Sequence, residues 1–115
     1  MRQEIERAWE DRGLLQEKRV VEAIEHTIEL LDKGELRVAD PPTIGSSWNV
    51  NDWVKKAVIL YFPTRGMKTL EAGPLEFHDK MELKRNYAKL GVRVVPHAVA
   101  RYGAYLAPGT ILMPS

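Results

Sequence analysis

The chain has 115 residues, enough for one domain with a modest core and little room for a second. Seventeen basic residues stand against sixteen acidic ones, a net charge of +1, so the basic surplus that a nucleic-acid surface needs is missing. No cysteine is present, which excludes a disulfide framework, a thiol nucleophile and any zinc site with cysteine ligands. The opening Met1-Arg2-Gln3-Glu4-Ile5-Glu6 is too charged for the apolar part of a signal peptide. The longest apolar run, Ala57 to Phe62, is far short of the roughly 20 residues that span a bilayer. The expected setting is the cytoplasm, with neither nucleic acid nor membrane as a partner.

Ile5, Ala8, Trp9 and Arg12 recur at helical spacing and predict a short amphipathic helix over residues 3–12, ended by Gly13. A stronger helix is predicted from Gln16 to Lys33, where Val20, Val21, Ile24, Ile28 and Leu31 follow the 3.6-residue period. Glu17, Glu22, Glu25 and Glu29 lie elsewhere around it and read as its solvated face. Lys33-Gly34 is a good stop: a cation in the last turn suits the helix dipole, and glycine can take the left-handed cap.

Leu36 to Asp40 alternates and predicts a short strand closed by Pro41-Pro42, and Thr43 to Asn49 reads as a polar turn. Asn51 or Asp52 can cap a third helix, Trp53 to Phe62, whose broad apolar surface places it at the centre of the core; Pro63 ends it. Arg65 to Lys80 has no clean period and reads as loop with one or two short strands. Leu83, Tyr87 and Leu90 predict a helix over residues 82–90, stopped by Gly91, and Val92 to Val95 a strand followed by Pro96.

After Pro96 the pattern changes to a six-residue spacing. Val99, Tyr105 and Ile111 each open a unit with a bulky apolar residue, and glycine recurs at Gly103 and Gly109. This is the pattern of a hexapeptide β-helix, in which each unit forms one flat side of a triangular coil. Such units cannot bury their apolar face alone, and about three stacked repeats are needed for stability.

Several strings taken together resemble one family. They are Leu30-Leu31-Asp32-Lys33-Gly34-Glu35-Leu36-Arg37-Val38-Ala39, then Trp48 followed by Trp53-Val54-Lys55-Lys56-Ala57-Val58-Ile59-Leu60. Phe77, Asp79-Lys80, Gly91-Val92-Arg93-Val94-Val95-Pro96, and the stretch from Gly103-Ala104 through Thr110 to Leu112-Met113-Pro114-Ser115 complete the set. In this order and spacing, over nearly the whole chain, they resemble the bacterial tetrahydrodipicolinate N-succinyltransferases. The resemblance implies an α+β chain: a mainly helical amino-terminal domain with short strands over residues 1–95, leading at residues 96–115 into the first coil of a left-handed parallel β-helix, truncated. It also implies a homotrimer, and transfer of a succinyl group from succinyl-CoA, a co-substrate, to the amine of L-2-amino-6-oxopimelate in lysine and diaminopimelate biosynthesis. The acidic catalytic residues and most CoA contacts of the family lie in later coils. No catalytic residue is therefore expected among these 115, and no CoA-binding residue is singled out.

Arg93 is the substrate-binding candidate. Its position in a strand alone reads as an exposed arginine. The resemblance implies that the arginine of the Arg-Val-Val-Pro string contacts the dicarboxylate, and a guanidinium fork suits a carboxylate through two parallel hydrogen bonds. Lys55 and Lys56, adjacent in an apolar helix, point in different directions and read as lysines reaching water. His26, His78 and His97 lack metal-ligand spacing, and no metal is expected. His26 reads as a solvated histidine and His97 as structural. Trp53 reads as core rather than part of a ligand cage with Trp9 and Trp48. Glu25 and Glu29 form a helix face, not a catalytic dyad. The alternative to an enzyme piece is a non-catalytic assembly or binding module.

Overall fold

Three helices bury nearly all the apolar surface that the periodicity marks out. The computed structural model describes residues 1–115. Helix α1 (Arg2–Glu10) contributes Ile5 and Ala8, α2 (Lys18–Lys33) contributes Val20, Ile24, Thr27 and Ile28, and α3 (Asp52–Tyr61) contributes Val54, Ala57, Leu60 and Tyr61. Ile5, Val20, Ile24, Val54 and Leu60 are wholly buried, each worth about 1.5–3 kcal/mol relative to exposure. Thr27 is buried with them because its hydroxyl donates to the Ala23 carbonyl at 2.8 Å, so no polar atom is stranded. Trp53 is half-buried and packs against this cluster, as expected of a core-facing residue.

Helix α2 ends as its sequence predicts. Gly34 takes φ 76°, its N–H donates to Leu31 O at 3.1 Å, and Glu35 N–H donates to Leu30 O at 2.9 Å, closing the last turn. Helix α1, by contrast, stops at Glu10 rather than running on to Gly13. Asp11 turns extended, and its carboxylate accepts the Gly13 N–H at 3.0 Å to start a 3-10 turn over Arg12–Gln16.

The strand expected from Leu36 is only β1 (Ala39–Asp40), paired antiparallel with β2 (Asn49–Val50). Asn51 precedes α3 without capping it. Its amide donates instead to Arg37 O at 2.8 Å and to Asp40 Oδ2 at 2.9 Å, tying the β1 segment to the helix start. A 3-10 turn, Phe62–Thr64, follows α3 around Pro63.

Residues 65–80 hold two five-residue strands, β3 (Lys68–Ala72) and β4 (Leu75–Asp79), in an antiparallel hairpin around Gly73-Pro74. Gly73 sits at φ 62°, the positive value that a two-residue hairpin turn requires at its first position.

The helix expected over residues 82–90 is a single turn, α4 (Tyr87–Leu90). Its first half is claimed by a different partner: Lys84 N–H donates to Ala100 O at 2.9 Å and Tyr102 N–H to Glu82 O at 2.8 Å, with Leu83 opposite Arg101. Asn86, in the left-handed region at φ 65°, separates this extended stretch from the turn.

Gly91 caps α4, and β5 (Arg93–Val94) follows, pairing in parallel with β6 (Ile111–Leu112) in the register Arg93↔Ile111, Val94↔Leu112. The pairing continues as Arg93 N–H to Thr110 O at 3.0 Å and Val95 N–H to Leu112 O at 2.9 Å. This is the one parallel pair among three two-stranded sheets. The residues that open the six-residue units stay exposed: Val99 at 41%, Tyr105 at 51%, Ile111 at 56%. The molecule is thus a small helical domain with a looser, strand-bearing extension. Its radius of gyration of 16.2 Å exceeds the roughly 13 Å of a compact domain of this length.

Candidate functional site

Arg93 sits where a strand projects one side chain inward and the next outward. Val92 is buried beneath it, Arg93 is exposed, and its backbone is pinned on both sides: Val92 N–H donates to Tyr87 O at 2.9 Å, Arg93 N–H to Thr110 O. The carboxylates of the ion pairs all go to other cations, so the Arg93 guanidinium is unpaired within the chain. A rigid backbone carrying a free guanidinium can receive a carboxylate through two charge-assisted hydrogen bonds.

The stretch that leads to Arg93 is anchored by an ion pair that sequence reasoning missed. Lys84, buried with only 7% of its surface exposed, donates from Nζ to Asp32 Oδ1 at 2.7 Å and makes a longer contact of 3.4 Å to Asp32 O. The same Oδ1 accepts the Gly103 N–H at 2.9 Å. One carboxylate in the last turn of α2 therefore holds the 82–84 segment and the 100–103 segment together. A signal existed: Asp32 is the wrong charge for a helix C-terminus, where the dipole favours cations, so it needs a positive partner close by. Gly103, at φ 105°, also has the Ile28 side chain 3.3 Å from where a Cβ would stand.

Beside this ion pair lies a cleft of about 510 Å³ whose lining includes Lys33, Lys84, Arg85, Lys89 and Tyr102. Burial, with the Asp32 carboxylate nearby, raises the Tyr102 phenol above its ordinary range. Lys33 is raised and Glu29 lowered by their mutual hydrogen bond, 2.9 Å between charged groups on successive turns of α2. A second cleft of about 500 Å³ is mostly apolar, between the β3–β4 hairpin and residues 94–99, with Phe77, Tyr87, Val94 and Val99 in its wall. His97 lines this apolar cleft, whereas Arg93 lines neither.

The remaining candidates are scattered. Lys55 is exposed on α3, while Lys56 does not simply reach water: its ammonium lies 5.8 Å from the centre of the Trp9 ring, with the Arg12 guanidinium 5.4 Å from the same ring. That contact gives Trp9 a structural use, and Trp48, 59% exposed, is not part of it. His26 stands 3.9 Å from Glu29 on the exposed face of α2, and His78 Nδ1 lies 3.1 Å from the Thr69 hydroxyl across the hairpin. The three histidines share no site. No group of three histidine, cysteine or acidic side chains converges as a metal centre would, and no helix is long and apolar enough to cross a membrane.

A helical domain joined to a strand-bearing extension, with one free arginine on the first strand of a parallel pair, is a definite class of architecture, and comparison with known proteins gives it a family. Residues 1–64 match the family model described as tetrahydrodipicolinate N-succinyltransferase N-terminal. The 2,3,4,5-tetrahydropyridine-2,6-dicarboxylate N-succinyltransferase of Coxiella burnetii is 52% identical over 100 residues, covering 84% of this chain and 36% of that protein. The proteins of the same name from Paracidovorax citrulli and Variovorax paradoxus are 46% and 42% identical, covering 96% and 100% of this chain and 44% and 45% of themselves. The chain belongs to the tetrahydrodipicolinate N-succinyltransferase family, matching its N-terminal region. It spans less than half the length of these relatives.

Proposed function

We propose that this chain forms the amino-terminal portion of an enzyme that moves a succinyl group from succinyl-CoA to the amine of L-2-amino-6-oxopimelate, the ring-opened form of tetrahydrodipicolinate. On this reading the protein works in the cytoplasm on the diaminopimelate route to lysine, as a homotrimer. Residues 1–95 are its helical domain and residues 96–115 open a left-handed parallel β-helix.

The observation that carries the reading is the register of the parallel pair. Arg93 lies opposite Ile111, eighteen residues on, which is three six-residue units and so one full turn of a triangular coil. Val99, Tyr105 and Ile111 open successive units at the same spacing and stay exposed, as in a coil not yet stacked on a neighbour.

Arg93 would hold one carboxylate of the acceptor so that its amine meets the thioester carbon in near-attack geometry. The amine nitrogen then bonds to the acyl carbon and the carbon–sulfur bond breaks. A carboxylate elsewhere in the protein takes the amine proton and delivers it to the departing sulfur, so CoA leaves as the thiol. No covalent enzyme intermediate is required. In the full-length protein, Arg93→Lys keeps the charge but loses the fork, so the KM for the acceptor should rise about tenfold or more while the KM for succinyl-CoA holds. An unchanged acceptor KM overturns the assignment.

A further inference from the structure

We propose that the cleft between the end of α2 and the 82–90 segment is a binding site for a small oxyanion, a phosphoryl or carboxylate group, separate from Arg93. Four cations line it, Lys33, Lys84, Arg85 and Lys89, against two carboxylates, Asp32 and Glu82. Those two carboxylates are already engaged. Asp32 holds Lys84 and the Gly103 N–H, while Glu82 faces Arg65 at 3.4 Å and Lys68 at 4.0 Å. Lys33 is held by Glu29. Arg85 and Lys89 are exposed, and every carboxylate in an ion pair goes to another cation, which leaves these two positive charges on one wall without a partner.

The buried Lys84 adds a feature that surface lysines lack. An ammonium has three N–H donors, and here its only acceptors are Asp32 Oδ1 and, at longer range, Asp32 O. Its third donor is unspent although the side chain is shielded from water and borders the cleft. An oxyanion would accept from that donor, from the Arg85 fork and from Lys89, and the protonated Tyr102 hydroxyl supplies a neutral donor on the same wall. A cleft of about 510 Å³ has room for such a group together with part of the molecule that carries it.

The test is an NMR titration of the 115-residue chain with inorganic phosphate and, separately, with succinate, at ionic strength held constant with sodium chloride. Saturable shifts are expected at the Arg85 Nε–H and at the Lys89 and Tyr102 amides. Saturation by phosphate alone assigns a phosphoryl ligand, by succinate alone a carboxylate, and by both the shared chemistry. The double variant R85Q/K89Q removes only exposed groups, and it should keep the spectrum of the folded chain while weakening binding about tenfold or more. The variant R93Q should leave binding unchanged. Failure of both anions to saturate, full binding by the double variant, or loss of binding in R93Q would each overturn the site. None of these results bears on the acceptor KM of Arg93→Lys, so the two proposals fail separately.

Discussion

Residues 1–64 and residues 65–115 are held together by different physics. The first half buries ten side chains, eight of them without any exposed surface, because three amphipathic helices turn their stripes toward one another. The second half buries only Met81, Lys84 and Val92. Its order comes from backbone pairing: the hairpin ladder, the 82–84 stretch against 100–102, and β5 against β6. Met81 joins the helices' apolar cluster with Tyr102 packed against it, and one carboxylate, Asp32, serves Lys84 and Gly103 at once. The total accessible surface, 7968 Å², exceeds the roughly 6,400 Å² typical of a folded monomer of this mass, and the difference is what a strand-bearing half without its own core leaves open.

The comparison breaks most visibly in the core. Leu60→Ala removes a wholly buried side chain at the α1–α2–α3 junction and should cost about 2–5 kcal/mol, lowering the thermal midpoint of the whole chain. Leu75→Ala, on a hairpin side chain that is half exposed, should cost no more than about 0.5 kcal/mol. Equal losses by chemical denaturation would mean that the second half has a core of its own.

Next in size is the ion pair. Asp32→Ala strands the buried Lys84 ammonium and frees the Gly103 N–H, a loss of about 3 kcal/mol that should fall on one half. Amide exchange at Lys84 and Tyr102 should accelerate strongly while Ile24 and Ile28 keep their protection. Adding Lys84→Met should restore most of the loss, since an apolar side chain tolerates a site that a lone charge does not. Uniform loss of protection across the helices would show that the halves are not separable.

The sequence carried the first half far better than the second, for a reason visible in particular residues. Val20, Ile24 and Ile28 lie on one face of a single helix, so local spacing reveals them. Asp32 and Lys84 are fifty-two residues apart, and no local period connects them. Leu83, Tyr87 and Leu90 fit a helix as spaced letters, yet the backbone of residues 82–84 bonds to residues 100–102, a preference that only the folded neighbour creates. Val92 to Val95 was legible as a strand from its composition, and the structure keeps Arg93–Val94 of it, with Val92 buried and Arg93 exposed. The parallel partner of β5 is equally hidden from local reading, a matter of register across eighteen residues.

A smaller effect than the loss of the ion pair tests another contact between the halves, one made without charge. Gly34 closes α2 at φ 76°, and a Cβ placed there would lie 2.7 Å from the Tyr105 ring, which rests against the glycine from the second half. Gly34→Ala should therefore cost about 1–2 kcal/mol for the left-handed backbone alone, plus the displacement of Tyr105. The ring is the movable partner, half exposed and free to swing, so the two contributions can be pulled apart. Tyr105→Ala alone should be nearly neutral, and Gly34→Ala in that background should keep the backbone cost and lose the steric one. If the double variant is as unstable as Gly34→Ala, the ring contact contributes nothing, and the halves are joined by the Asp32 carboxylate and the burial of Met81. If it is more stable, the close approach of Tyr105 is a further seam between a half built on burial and a half built on pairing.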